Sequence, residues 1–302
     1  MFEEAEFIIA VYCLICEYYQ RLFPKGVRRG GFPPKLTDEE ALTIAIVGEY
    51  LGLENDTAIY RYFRQHYSSW FPSLPERSLL IRQWNKLWKV KEKIWQAIVQ
   101  DWGANLDNLQ FIDTTPLPVC HIKRAKQCRI FKGDPLLEVD YGYCETKGYY
   151  LGHKGGFRLS FSGMIIYAPL LPARPHDSSL LEVLLQGVPA YTIVGADKGF
   201  INLEMQLKLL EEYGILLKTP LRSNMQGREI FKLSQEENRF RRLIETVIAQ
   251  FTERFHIQRI RARKGWTLLA KWYRKILAHT VCVFLNLIHG RNPIDLEGLV
   301  RY

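Results

Sequence analysis

The sequence predicts an α/β protein with a mixed sheet flanked by helices, preceded by an all-helical N-terminal region. Two observations lead to this fold class. Apolar residues recur at helical spacing through residues 1 to about 105, whereas short apolar runs typical of strands alternate with helical stretches from Leu109 onward. Strands and helices in that order form a mixed sheet covered by helices. Because 302 residues suffice for one large or two modest domains, we expect domains at residues 1–105 and 106–302.

The N-terminal region carries a signal for each of its expected helices. A Gly/Pro-rich loop, Arg28–Pro34, ends a first amphipathic helix, and Thr37 with Glu40 reads as a capping box that opens a second. Helical turns are expected around Thr57–His66. After the prolines at positions 72 and 75, apolar residues at helical spacing predict one long helix through Ile98.

A second face of that long helix is cationic. Arg82, Lys86, Lys89 and Lys93 step by 4, 3 and 4 residues, so they would line one side of the helix. Two interpretations are equally open. The stripe belongs to a helix-turn-helix-like unit that binds DNA, or it is the solvated surface of a helical bundle. Residues 1–105 are therefore expected to bind DNA or to form a dimer.

The second region alternates strands with helices. The expected strands are Leu109–Ile112, a hairpin of Gly148–Lys154 and Phe157–Tyr167 around Gly155 and Gly156, Tyr191–Ala196 and Ile215–Lys218. The expected helices are Ser178–Leu185, Leu203–Tyr213, Glu236–Phe255 and Trp266–Ile288. Residues 114–146 form a long connection with little strand or helix period, which includes Lys123 and Arg124. We expect this connection to touch DNA or a second subunit, the alternative being a disordered tip.

The charge of the chain indicates a polyanionic partner. The formal net charge is +9, from 41 basic and 32 acidic residues. Residues 114–175 and 218–275 carry excess positive charge around an acidic segment, residues 176–217. That layout is expected of a site that collects cations while its surroundings hold an anionic polymer. The alternative is a basic excess that only keeps the protein soluble.

The apolar runs and the cysteines bear on the compartment. The runs at residues 7–16 and 276–288 are too short to span a bilayer, and the first follows glutamates, which have the wrong sign for a signal peptide. Six cysteines in this length make no disulfide framework; Cys13 and Cys16 lie in an apolar stretch and are read as core residues, and Cys120, Cys128 and Cys144 lack the paired spacing of a zinc knuckle. We expect a cytoplasmic protein, nucleoid-associated when it is bound to DNA, with no membrane partner.

Three carboxylates stand where a metal site could form. Asp113 and Asp197 each end an apolar strand, and Glu245 lies just off the apolar stripe of a later helix. Strand ends are rigid mounts at which ligands collect, and converging carboxylates suit hard divalent cations. An isolated aspartate at a strand end more often caps a turn. The joint occurrence of the three within a basic surround favours the metal site, with two ions of the kind that act in phosphodiester chemistry.

Cations flank these carboxylates. Lys198, Arg241 and Arg242 are expected to touch phosphates, although the two arginines could instead neutralise Glu245 as helix pairs. A further run is Arg259, Arg261, Arg263 and Lys264, continued by Lys271, Arg274 and Lys275. It indicates a track for a DNA backbone rather than an edge strand protected by charge. No catalytic role is assigned to His121, His153 or His176.

The segments around the three carboxylates resemble a known family. Residues 111–116 (FIDTTP), 195–200 (GADKGF) and 241–246 (RRLIET) are similar to the three acidic motifs of DDE transposases from bacterial insertion sequences. The likeness covers nearly the whole chain and is greatest for the insertion-sequence 982 type. Of a related Y-x2-R-x3-E-x6-K signature, Arg241 and Glu245 fit, whereas Asn238 and Thr252 replace the tyrosine and the lysine.

The resemblance implies a ribonuclease-H-like core with the first Asp on the first strand, the second after the fourth strand and the Glu on a following helix. Asp113, Asp197 and Glu245 then take the catalytic and metal-binding positions, with two Mg²⁺ or Mn²⁺ ions per site. It further implies cleavage at the terminal inverted repeats of a transposon, joining of the 3′-hydroxyl to double-stranded target DNA, and a homodimer on DNA. Alternatives are a structure-selective nuclease of the same fold and a catalytically idle DNA-binding derivative.

Overall fold

A computed structural model describes residues 1–28, 30–145, 147–220 and 229–301. The chain forms two compact units: Met1–Ile98 with Gln250–Tyr302, here called the helical unit, and Val99–Ala249, called the sheet unit. The segment from residue 250 onward therefore packs with the N-terminal helices, whereas the sequence grouped it with residues 106–249. The functional assignment of residues 1–105 and 106–302 stays a prediction. No helix in the described part of the chain has the length and apolar character needed to cross a membrane.

The helical unit is built around α-helices, as the apolar spacing predicted. They are α1 (Glu4–Leu22), α2 (Asp38–Tyr50), α3 (Asp56–His66), α4 (Arg77–Lys86), most of α5 (Trp88–Trp102), the end of α8 (Gln235–Glu253) and α9 (Gly265–Ile288). Strands β1 (Phe2–Glu3) and β9 (Val300–Arg301) pair in parallel beside them. The capping box at α2 is confirmed, because Thr37 Oγ1 accepts from the Glu40 amide and the Glu40 carboxylate accepts from the Thr37 amide.

The single long helix expected after the prolines is wrong. The chain leaves helical geometry at Leu87, whose ψ of 17° separates α4 from α5 while its side chain stays buried. The apolar spacing continues across this break, so the sequence pattern could not reveal it. The four cations of the stripe are exposed, but Arg82 and Lys86 lie on α4 and Lys89 and Lys93 on α5. They do not form one continuous helix face.

A buried ion cluster joins α2 to α9. Glu49 is 1% exposed and accepts from Arg274 Nε and Lys275 Nζ, each at 2.6 Å. Arg274 also pairs with Asp56 at 2.8 Å. The predicted continuation of the basic track onto Arg274 and Lys275 is therefore wrong. Both cations lie in the core, because the carboxylate of Glu49 offsets the loss of hydration there.

The sheet unit contains a mixed seven-stranded sheet, which confirms the predicted fold class. Its strands are β2 (Leu109–His121), β3 (Asp140–Cys144), β4 (Gly148–Ser160), β5 (Ile165–Tyr167), β6 (Leu170–Pro172), β7 (Ile193–Gly195) and β8 (Leu216–Lys218). Their order is β3-β4-β2-β7-β8, with β5 and β6 also paired to β4. Helices α6 (Leu181–Leu184) and α7 (Leu203–Tyr213) pack their leucines against β2, β7 and β8. This packing holds the strand ends in place.

The position of β7 explains a difference in strand count. In chain order β7 is the sixth strand of this sheet, whereas the resemblance places the second Asp after the fourth. β3, β6 and β5 pair with successive parts of β4, so the three together occupy one position beside it. From that position the sheet continues with β4, β2 and β7, which makes β7 the fourth strand across the sheet.

The predicted hairpin around Gly155 and Gly156 is also wrong. One strand, β4, runs from Gly148 through both glycines to Ser160, and the chain turns only afterwards, where the Ser160 amide donates to the Met164 carbonyl at 2.9 Å. Gly156 provides room rather than a turn. A Cβ there would lie 2.5 Å from Leu184 Cδ2, so the helix side chains can approach the strand only because this position lacks one.

The first strand of the sheet is longer than predicted. β2 continues through Pro116 and Pro118 to His121, and β3 covers Asp140–Cys144. The expected long connection at residues 114–146 therefore contains strand at both of its ends. Prolines suggested a loop because they cannot donate to a ladder. The pairing of β2 with β7 ends at Phe111, and from there the described residues pair with β2 through β4 alone. The edge of β2 that faced β7 has no paired strand here, so a proline without an N–H is tolerated at that edge.

Candidate active site

The two aspartates predicted for the site lie at equivalent positions on neighbouring strands. β2 and β7 are parallel, with Phe111 opposite Gly195. Asp113 and Asp197 each follow these partners by two residues, so both emerge where the strand pairing stops. A Cβ on Gly195 would lie 2.6 Å from the Phe111 ring, so glycine at this position allows the two strands to pair closely. The sheet register thus brings together side chains that are 84 residues apart in sequence.

Asp113 is the electrostatically strained member of the pair. Burial, and to a smaller extent the neighbouring carboxylates of Asp177 and Asp197, raise the pKa of its carboxyl to about 7. The Thr114 amide, which donates to Asp113 Oδ1 at 2.7 Å, and the Arg241 guanidinium act in the opposite direction. Raised carboxyl pKa values of this kind mark positions where negative charge is crowded.

Helix α8 supplies the third carboxylate together with a cation. Arg241 Nη1 lies 2.8 Å from Glu245 Oε1, one helical turn away, and 3.8 Å from Asp197 Oδ1. One guanidinium thus bridges the two carboxylates, while Asp197 and Glu245 stay half exposed, at 57% and 51%. Arg241 Nε is buried and has no hydrogen-bond partner among the residues that the structure describes. For Arg241, the structure shows the alternative interpretation, an ion pair with Glu245 within the helix. Arg242 is exposed.

A fourth carboxylate, Asp177, lies at the same strand ends and was not singled out in the sequence. Its Oδ1 accepts from Lys154 Nζ at 2.8 Å and from Thr114 Oγ1 at 3.0 Å. Lys154 also donates to the Pro175 carbonyl, which ties the segment before Asp177 to β4. Asp177 begins a short 3-10 helix, so in sequence it reads as an ordinary helix-initiating aspartate.

The carboxylates fit a divalent metal in their chemistry. Oxygen donors on rigid strand ends are the ligands that Mg²⁺ and Mn²⁺ prefer. Burial is the main cause of the raised pKa of Asp113, and the cations nearest the group pair with its neighbours, Arg241 with Asp197 and Glu245 and Lys154 with Asp177. Within the described residues, however, no three acidic, histidine or cysteine side chains converge closely enough to form a metal cage. Metal binding therefore requires the side chains of Asp197 and Glu245 to turn away from Arg241.

The other predicted DNA contacts are distributed over both units. Lys198 is exposed beside Asp197, and Lys123 and Arg124 are exposed on the 3-10 helix that follows β2. The exposed basic run of the helical unit is Arg259, Arg261, Arg263 and Lys264. Arg259 forms a long ion pair of 3.5 Å with Glu54. These residues stay candidates for phosphate contacts, because none of them is buried or held by a short ion pair.

The three histidines near the sheet occupy structural positions. The ring nitrogens of His121 and His176 contact amides two residues later, at Lys123 and Ser178. His153 is buried, and burial lowers its pKa to about 4, so its ring is neutral at pH 7. None of these contacts reaches the three predicted catalytic carboxylates.

Comparisons with known proteins agree with this geometry. Residues 103–265, more than half of the chain, match the family described as Transposase DDE domain, and this range includes Asp113, Asp197 and Glu245. A curated relative, the transposase for insertion sequence element IS1106 of Neisseria meningitidis serogroup B, is 27% identical over 162 residues, which are 53% of this chain and 55% of the relative. The chain thus spans about half the length of that relative. No solved structure matches the chain. The match over residues 103–265 shows that this chain belongs to the transposase DDE domain family.

Proposed function

We propose that the protein is a DNA transposase that cleaves DNA at the ends of an insertion sequence and joins the freed 3′ ends to target DNA. The observation that carries this proposal is the sheet register, which puts Asp113 and Asp197 side by side, each two residues beyond the last pair that joins the parallel strands β2 and β7, with Glu245 linked to Asp197 through Arg241. The family assignment supports the same chemistry.

The carboxylates would hold the catalytic metal ions. Transposases of this family generally use divalent metal ions. When bound, a pair of Mg²⁺ or Mn²⁺ ions activates the attacking oxygen and stabilises the leaving one in phosphodiester chemistry. We assign Asp113 and Asp197 as ligands from the rigid strand ends, and Glu245 as the ligand that completes the set from α8. A bound cation would lower the raised pKa of Asp113, so that its carboxyl would be ionised at neutral pH.

The surrounding residues position these groups. Lys154 and Thr114 donate to Asp177, and because Thr114 follows Asp113 this fixes the backbone next to the carboxylate that would bind the metal. In the metal-free protein, Arg241 reduces the repulsion between the carboxylates of Asp197 and Glu245. Bound metal would supply that positive charge instead, and Arg241 could then contact DNA. The exposed side chains of Lys198 and Arg242 would contact phosphates next to the scissile bond.

Two reactions follow at this site. In the first, a water oxygen attacks the phosphorus at the transposon end, the bond from phosphorus to the 3′ oxygen breaks, and a free 3′-hydroxyl forms. In the second, that hydroxyl loses its proton and attacks a phosphodiester of the target, whose own 3′ oxygen leaves. Both are in-line displacements, so one set of carboxylates serves both steps. No separate protein base is required.

The substrate and assembly follow from this proposal. The DNA partners are the terminal inverted repeats of the element and a double-stranded target, and paired cleavage at two ends favours a homodimer on DNA. Such a reaction occurs in the cytoplasm, in association with the nucleoid. The narrower likeness to the insertion-sequence 982 type stays a prediction.

The test is a reaction with labelled DNA. Purified protein is incubated with Mg²⁺ or Mn²⁺, a supercoiled target plasmid and a duplex that carries the inverted repeats flanking its own coding element, labelled at the 5′ end of the strand whose new 3′ end is to be joined. Cleavage at the repeat followed by label in the plasmid supports the transposase. Cleavage without joining would identify a nuclease instead. A third outcome, a catalytically idle DNA-binding derivative, would bind the duplex but show no metal uptake in calorimetry.

A further inference from the structure

A groove lined by arginines lies between α3 and α4 of the helical unit. Its volume is about 770 Å³, and its walls come from the exposed sides of the two helices. Arg61 and Arg64 stand one turn apart on α3, and Arg77 is the first residue of α4. The remaining walls carry hydrogen-bonding side chains, including Tyr60, Gln65 and Ser78. We call this feature the arginine groove.

The three guanidinium groups have almost no partners in the described part of the chain. None of them forms an ion pair, although Glu76 also lines the groove. Arg64 Nη1 reaches the Tyr60 hydroxyl, and Arg77 Nη1 reaches Thr57 Oγ1, each only at 3.4 Å. A guanidinium has five N–H donors, so most of the donors in the groove face solvent.

Like charges placed together without a counter-charge repel one another. The structure elsewhere pairs its cations carefully, as in the cluster of Arg274 and Lys275 around Glu49. The arginine groove is therefore a surface that is stabilised when an anion fills it. Arginine forks match phosphate oxygens in a bidentate manner, and the hydroxyl and amide groups between them supply further donors. Repeated phosphates suit the groove better than a single carboxylate, because its arginines come from two helices.

The cationic surface continues along α4. A second groove on this helix contains Arg82, Lys86 and Lys35, so cations line both grooves that border α4. Helix α4 packs on α2, α3 and α9, which holds its exposed side in a fixed orientation. A short, rigid helix bordered by cationic grooves on its exposed sides is suited to lie along a nucleic-acid backbone.

We propose that the arginine groove binds the phosphate backbone of double-stranded DNA through Arg61, Arg64 and Arg77. This site is formed by residues of the helical unit and is distinct from the residues of the acidic site. The choice of DNA as the polyanion rests on the proposed function, whereas the groove and its unpaired arginines do not depend on it. Backbone contacts position a protein on DNA without reading its sequence.

The average charge of the region hides this surface in the sequence. Residues 1–113 carry 13 basic and 15 acidic residues, which gives no sign of a polyanion site. Between residues 56 and 86 the count is five basic to two acidic, and one of those acids, Asp56, is held in ion pairs with Lys271 and Arg274. Folding therefore draws Asp56 away from the groove and leaves Glu76 as the acid that lines it within the described residues.

The test compares salt dependence of binding in two charge-matched variants. Wild type, R61Q/R64Q and the control K25Q/R301Q are titrated onto a fluorescein-labelled duplex DNA of mixed sequence, and anisotropy is followed over a series of KCl concentrations. Lys25 and Arg301 are exposed and lie outside the groove. Glutamine preserves helix propensity on α3, and far-UV circular dichroism with the thermal midpoint checks that folding is unchanged.

The expected result is a salt slope that falls by about 1.8 in R61Q/R64Q, since each lost phosphate contact removes about 0.9. The slope of the control should equal that of wild type, and R77Q should lower it by about half as much as the double variant. An unchanged slope in R61Q/R64Q, or an equal loss in the control, overturns the inference. Wild type that binds DNA with the expected slopes but does not cleave the inverted-repeat duplex would overturn the proposed function alone, so the two failures are distinguishable.

Discussion

Replacement of Asp113 by asparagine should stabilise the metal-free protein above neutral pH. The carboxyl has a pKa of about 7 in the folded chain and about 4 in an unfolded one. A raised folded pKa means that the folded state binds a proton more tightly, so stability is lost as pH rises from about 4 to 7 and then stays constant. Asparagine has no charge to bury, and its Oδ1 can still accept from the Thr114 amide.

The size of the effect follows from the width of that pH window. Three pH units at about 1.4 kcal/mol each give an upper value of about 4 kcal/mol. Asp113 is only partly buried, and solvent reduces the interaction, so we expect Asp113→Asn to be about 2–4 kcal/mol more stable than wild type at pH 8. Near pH 4.5 the difference should shrink below about 1 kcal/mol.

The measurement is urea unfolding in the presence of EDTA at several pH values. The exposed Glu138 lies in the same unit and provides a control, Glu138→Gln, which should track wild type at every pH. If Asp113→Asn is no more stable than wild type at pH 8, or if its advantage is the same at pH 4.5, the argument that crowded carboxylates strain Asp113 is refuted.

Two further predictions concern ion pairs. Glu49→Gln should destabilise the helical unit by about 3–5 kcal/mol in urea unfolding, because Lys275 would lose the carboxylate it pairs with in the core and Arg274 would keep only its pair with Asp56. Lys154→Met should destabilise the sheet unit by about 1–3 kcal/mol in the same assay, because Asp177 would lose its cation in a partly buried position. A change below about 0.5 kcal/mol in either variant would contradict the corresponding assignment.

Matched controls separate these effects from loss of charge alone. Glu54→Gln removes a carboxylate whose ion pair with Arg259 is exposed and 3.5 Å long, and it should change stability by less than about 0.5 kcal/mol. Lys147→Met removes an exposed cation near the start of β4 and should have an equally small effect.

The acidic site was predictable because local patterns mark it. Asp113 and Asp197 each follow an apolar run, and Glu245 adjoins the stripe of an amphipathic helix, so each carries a signal within a few residues. The capping box at Thr37 and the bounds of α7 were equally local. Short-range periodicity and capping chemistry are properties of the sequence itself.

The features that were missed depend on contacts between distant segments. Gly156 reads as a turn in sequence, but its role is set by Leu184 packing on the strand. Arg274 reads as a surface cation, but Glu49, 225 residues away, draws it into the core. Asp177 joins the acidic site only through Lys154 and Thr114. Periodicity contains no information about such partners, so these positions required the tertiary structure.

The central claim is that Asp113, Asp197 and Glu245 together carry out metal-dependent cleavage of DNA. The most direct measurement is the single-turnover cleavage rate of the inverted-repeat duplex with Mg²⁺ for Asp113→Asn, Asp197→Asn and Glu245→Gln, with DNA affinity measured in parallel. Glu236→Gln, an exposed position on the same helix as Glu245, is the control. We predict that each triad variant loses at least about 100-fold in rate at unchanged affinity, while the control cleaves like wild type. A triad variant that cleaves at the wild-type rate would contradict the claim for that residue.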